Sequence, residues 1–121
     1  MLTVGGGGAK ILLVAGATDM RKSYDTLAAT VRQVIDKDPL SGHLFVFCNR
    51  RRDRLKILLW ETSGFWLLAK RLEQGTFIWP ESSRKAVEYS TAELAALLDG
   101  LELSGRRRLR YQRRQILPTS T

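Results

Sequence analysis

With 121 residues, 44% of them hydrophobic, the chain is long enough for one domain with its own core and too short for two. Its formal net charge of +8 is concentrated: residues 50–56 hold five cations against one acid, residues 106–114 hold six arginines and no acid, and the remainder is slightly acidic. A single cysteine and a single histidine exclude an intrachain disulfide and a structural zinc cluster, and no apolar run approaches the roughly 20 residues that cross a bilayer.

Gly5 to Gly8 cannot hold a regular element cheaply, so residues 1–9 are expected to be a flexible lead into a strand over residues 10–15. These glycines are not a phosphate loop, because in such a loop they follow a strand and precede a Lys-Ser/Thr pair. Nor do they fit a secretion signal, so a cytoplasmic, reducing setting is expected, with neither membrane contact nor cofactor. Tyr24, Leu27, Ala28, Val31, Val34 and Ile35 then recur at steps of three and four, which predicts an amphipathic helix over about residues 23–37. Asp19 or Ser23 caps its start, and Pro39 bars its continuation.

From residue 44 to residue 79, apolar runs alternate with the turn signals Arg50–Asp53, Thr62-Ser63-Gly64 and Glu73–Thr76, which predicts an antiparallel meander. Leu44, Val46 and Cys48 share one face and Phe45 and Phe47 the other; Leu55, Ile57 and Leu59 oppose Lys56, Leu58 and Trp60, and Phe65, Leu67 and Ala69 oppose Trp66, Leu68 and Lys70. Both faces are therefore apolar, and the face away from the helix needs a second helix, the tail or a partner chain to cover it. Pro80 closes the meander, and Val87 and Tyr89 mark a short edge strand. Ser90-Thr91-Ala92-Glu93 is a capping box that opens a helix over about residues 91–99, which Gly100 stops. The predicted class is α+β: an antiparallel β-meander of about five strands with one longer amphipathic helix, a short C-terminal helix and a basic flexible tail. Residues 10–103 form the one domain, and residues 104–121 are expected to be disordered.

The chemistry-bearing feature is the run Arg50-Arg51-Arg52-Asp53-Arg54-Leu55-Lys56 between two strands, a basic hairpin tip suited to a row of phosphates. Arg106, Arg107, Arg108, Arg110, Arg113 and Arg114 resemble a basic arm. Arg21 and Lys22 stand at a helix start, where the dipole disfavours cations, so they either turn outward or reach an anion. Trp66 and Trp79 are core residues or, if exposed, platforms for unpaired bases. Two-metal phosphoryl transfer needs carboxylates that converge, and Asp19, Asp25, Asp53 and Glu61 each have an ordinary structural role instead; no catalytic or metal-ligating set is expected. His43 lacks an orienting partner for base catalysis, and Cys48, on the opposite strand face, is expected to be a small core residue.

Four segments, agreeing in order and spacing, closely resemble a known family. They are Thr18-Asp19-Met20-Arg21-Lys22-Ser23-Tyr24-Asp25; Asp38-Pro39-Leu40-Ser41-Gly42-His43-Leu44-Phe45-Val46-Phe47; Asn49 to Lys56; and Lys70-Arg71-Leu72-Glu73-Gln74-Gly75-Thr76-Phe77-Ile78-Trp79-Pro80. The family is the TnpB accessory proteins of bacterial insertion-sequence-sixty-six transposable elements, distinct from the far larger RNA-guided nuclease of the same name, and the likeness runs from about Ala9 to Tyr111. The resemblance implies a small non-enzymatic protein encoded beside a transposase and needed for efficient transposition. Joined to the charge pattern, it predicts an accessory factor that binds DNA through Arg50, Arg51, Arg52, Arg54 and Lys56, with Arg21, Lys22 and the tail arginines in support. The alternatives are a subunit that docks on the transposase or on another copy of itself through an apolar sheet face, and a metal-dependent nuclease built on Asp19, Asp53 and Glu61.

Overall fold

The computed structural model describes residues 8–100. Seven elements follow in order: β1 (Ile11–Val14), α1 (Tyr24–Val34), β2 (Leu44–Cys48), β3 (Arg54–Glu61), β4 (Gly64–Arg71), β5 (Ala86–Tyr89) and α2 (Thr91–Asp99). They form one five-stranded sheet in the order β4-β3-β2-β1-β5. The expected α+β class and its two helices are present. The expected all-antiparallel meander holds only for β2, β3 and β4, which are joined by short turns. β1 runs parallel to β2, because α1 carries the chain back across the sheet between them and a strand–helix–strand crossover leaves its two strands pointing the same way. β5 then pairs antiparallel with the free side of β1. Flanked on both edges and covered on both faces, β1 is buried at all four positions, which is why its sequence is an unbroken apolar run.

Strand alternation sorts the core into two layers. Leu12, Val14, Phe45, Phe47 and Leu58 face Leu27, Ala28, Val31 and Ile35 of α1. Ile11, Leu13, Leu44, Val46, Cys48, Leu55, Ile57 and Leu59 face the other way, against Leu94 and Leu97 of α2 and against Phe77 and Trp79. The chain itself thus covers the second face over β1, β2 and β3, but not over β4, whose Trp66 and Leu68 lie on that same face opposite Leu59 and Ile57. The segment that holds Phe77 and Trp79 is not the further strand that the sequence pattern suggests. After the turn at Gly75 it crosses the end of the sheet, where the Phe77 N–H donates to the Arg52 carbonyl at 2.6 Å, rather than adding to β4. β4 is left as an edge among the described residues, and on it Trp66 and Leu68 remain 49% and 41% exposed.

Local capping fixes both helices. Ser23, not Asp19, is the N-cap of α1, and its N–H donates to Thr26 Oγ1 at 2.8 Å. Ser90 caps α2 as the sequence predicts: its hydroxyl accepts from the Glu93 N–H at 3.1 Å while Glu93 Oε1 accepts from the Ser90 N–H at 2.8 Å. Gly100 ends α2 in the left-handed conformation, φ 79°, which only glycine adopts freely. Replacing Ser90 by alanine removes one of these bonds, and urea denaturation should register a loss of about 1 kcal/mol.

The glycine-rich lead lies outside the described residues except for Gly8 and Ala9. The tail lies wholly outside them, with Arg106, Arg107, Arg108, Arg110, Arg113 and Arg114.

Candidate nucleic-acid interface

The turn between β2 and β3 is organised by the side chain of Asn49. Its Oδ1 accepts from the Asp53 and Arg54 N–H groups, both at 3.0 Å, and its Nδ2 donates to Asp53 Oδ1 at 2.6 Å. Arg52 takes the left-handed conformation, φ 61°, and its N–H donates to the Asn49 carbonyl at 3.2 Å. The surroundings hold the turn from two sides: the Thr18 N–H reaches the Cys48 carbonyl at 2.8 Å, and the Leu72 N–H reaches the Asp53 carbonyl at 2.8 Å. The tip is therefore seated on the domain rather than projecting as a free finger.

This backbone path divides five cations that look equivalent in sequence. The left-handed turn aims Arg52 inward, where Nη1 donates to the Gly16 and Asn49 carbonyls, both at 3.2 Å, and the guanidinium lies 5.6 Å from the centre of the buried Trp79 ring. Lys56 sits on the α1 face of β3 and donates through Nζ to the Met20 and Lys22 carbonyls at 2.9 and 2.7 Å, tying the strand to the loop ahead of α1. Both side chains are engaged within the fold. Arg50, Arg51 and Arg54 are exposed. Arg21 is exposed as well but grips Asp19, with Nη2 2.7 Å and Nε 3.0 Å from Oδ2. The Arg21 guanidinium beside Asp19 holds that carboxyl down at about 2, so the two charges offset each other at neutral pH. Lys22 is half-buried and contributes its carbonyl to Lys56.

Arg50, Arg51 and Arg54 line an open groove of about 610 Å³ together with Thr18, Asp19, Met20, Asn49 and Asp53. Met20 and Arg54 are shared with a second groove of about 520 Å³, which continues along Lys70, Arg71 and Glu73. The two form one basic channel across the end of β3 and β4. Arg71 is a residue that sequence reasoning missed. Register places it directly opposite Arg54, an arrangement of like charges that weakens a sheet unless an anion or acid compensates. Glu73 does so in part, accepting from Arg71 Nε at 3.0 Å. The signal was available: counting outward from the two-residue Thr62-Ser63 loop puts residue 71 across from residue 54. Lys70, on the other strand face, donates to the Leu98 carbonyl at 2.8 Å and so anchors the end of α2.

The remaining chemical candidates have structural partners. His43 Nδ1 accepts from the Lys10 N–H at 2.9 Å. Cys48 is fully buried, and burial pushes its thiol up against the smaller opposing pull of Arg52. A thiol reagent such as DTNB should accordingly label the native chain about a hundredfold or more slower than the urea-unfolded chain, at a rate set by opening of the core. Asp53 and Glu61 stand at opposite ends of β3, roughly 25 Å apart at strand rise, so the carboxylates of the nuclease alternative do not converge. Among the described residues no group of three His, Cys, Asp or Glu side chains could hold a metal ion, and no helix is long and apolar enough to cross a membrane. Trp66 is half-exposed at the far end of β4, its Nε1 donating to Glu61 Oε1 at 3.0 Å.

Fold and site together define a small α+β protein with an open basic channel at the end of β3 and β4. Residues 9–108 match the family described as IS66 Orf2 like protein, and the chain belongs to that family. Membership gives it an accessory role associated with transposition. Two proteins of Sinorhizobium fredii (strain NBRC 101917 / NGR234) are similar. Uncharacterized protein y4hO is 38% identical over 93 residues, covering 77% of this chain and 81% of the relative. Uncharacterized protein y4jC is 36% identical over 95 residues, covering 78% and 81%. No solved structure matches.

Proposed function

We propose that this protein serves transposition as a non-catalytic DNA-binding factor whose basic channel, lined by Arg50, Arg51, Arg54 and Arg71, grips the phosphate backbone. The observation that carries this reading is the facing pair Arg54 and Arg71, kept opposite each other where two grooves merge, with Arg50 and Arg51 continuing the line. A like-charge pair costs stability in the free protein, and that cost is relieved when a phosphate lies between the guanidiniums. The channel is open rather than enclosed, and among the described residues no helix lines it, so it suits contacts that position the duplex without reading bases. Asp19 and Asp53 are bound to Arg21 and Asn49, which leaves them ill placed to gather a metal for strand cleavage.

The test is binding of the purified protein to duplex DNA across salt, beside a variant with Arg50, Arg51, Arg54 and Arg71 all replaced by alanine. Each neutralised phosphate adds about 0.9 to the slope of log affinity against log salt, so the two slopes should differ by about 3.6. Equal slopes would remove the channel from the interface. The reading also predicts that Arg71→Ala alone weakens binding while raising stability by a few tenths of a kcal/mol, through relief of the repulsion with Arg54.

A further inference from the structure

We infer that β4 is a self-association edge: two copies of the chain join antiparallel along it, about a two-fold axis at Leu68, into one continuous ten-stranded sheet. β4 has eight residues, pairs only with β3, and has no strand on its other side among the described residues. The common protections of such an edge are absent along most of it, since it holds no proline and its only charges are Lys70 and Arg71 at one end. The exposed large apolar side chains Trp66 and Leu68 lie together on one face of this strand.

Register selects the occupant. The two-residue loop makes Glu61 and Gly64 the hydrogen-bonded closing pair with β3, so by alternation the backbone groups of Phe65, Leu67, Ala69 and Arg71 point outward. Antiparallel pairing of two such edges that uses all four residues sets Phe65 against Arg71 and Leu67 against Ala69. On the other face it sets Trp66 against Lys70 and Leu68 against its own copy. The cations are then kept apart from their own copies, about 20 Å along the strands for Arg71 and about 13 Å for Lys70, and each lies beside an aromatic ring, a favourable pairing. Parallel alignment would stack Lys70 and Arg71 on their own copies. The strand is thus complementary to itself in antiparallel register, which is the requirement of a two-fold interface.

The experiment uses the full chain with Leu68→Cys. The native cysteine, Cys48, is fully buried and silent to mild oxidation. Position 68 is a non-hydrogen-bonded pair in the proposed register, with its Cβ atoms about 4.5–5.5 Å apart, close enough to bridge with a small adjustment. Mild oxidation should convert most of the Leu68→Cys chain to a covalent dimer on a non-reducing gel. Ala69→Cys, whose counterpart is Leu67 rather than itself, should yield several-fold less. The unmodified chain should approach twice the 13.7 kDa monomer mass in sedimentation equilibrium as concentration rises to about 200 µM, a range suited to an interface of one strand's width. Monomer mass throughout, or equal crosslinking at positions 68 and 69, overturns the inference. Neither readout involves DNA, so failure here and failure of the binding channel are told apart.

Discussion

Replacing Arg50, Arg51 and Arg54 together by alanine is expected to lower affinity for duplex DNA about a hundredfold at moderate salt and to flatten the salt dependence by about 2.7. Among the described residues none of these three side chains makes a hydrogen bond or ion pair, and all three are exposed beside the same groove. Their removal therefore withdraws charge from the surface without taking anything from the fold, and the urea midpoint should move little. An unchanged affinity would transfer binding to the arginines at 106–114, which the family match reaches only as far as residue 108.

Arg52→Ala and Lys56→Ala are expected to do the opposite. Each should cost about 2 kcal/mol of stability, a fall in melting temperature of roughly 10 °C, while leaving the salt slope unchanged. Arg52 holds the Gly16 and Asn49 carbonyls and covers Trp79; Lys56 satisfies two carbonyls of the loop before α1. Loss of either leaves acceptors to find other partners and, for Arg52, bares a buried indole. Thermal unfolding and salt titration of the two variants, run beside the triple variant, separate cations that build the turn from cations that face outward. A slope reduced by about 0.9 in either variant would show that the side chain leaves its carbonyls to meet phosphate.

This division was not legible in the sequence, and the reason is local. Arg50, Arg51 and Arg52 are indistinguishable by type and spacing; what separates them is the left-handed backbone at residue 52, imposed by Asn49 bonding across the turn to Asp53 and Arg54. The facing of side chains on β2, β3 and β4 was legible, because a period of two leaves no choice once the apolar residues are placed. So was the start of α2, where Ser90 and Glu93 stand three apart. The start of α1 was ambiguous because Asp19 and Ser23 both suit a cap; Asp19 instead accepts the Arg21 N–H and guanidinium. The direction of β1 was hidden, since pairing sense depends on the crossover through α1 and not on the composition of the strand. The cover of the second sheet face was foreseen as a need but not as an answer: α2 was a candidate, whereas Phe77 and Trp79 looked like one more strand and act as a lid. Arg71 went unnoticed because its meaning arises only from its partner across the ladder.

The most direct test of the basic channel is an amide-resolved NMR titration of the isotope-labelled chain with a short duplex at low salt. Shift changes are expected to cluster at residues 17–21, 49–54 and 69–73 and to fade as salt is raised. Changes confined to residues 101–121, or spread over α1 and α2 while those three segments stay still, would contradict binding through the channel.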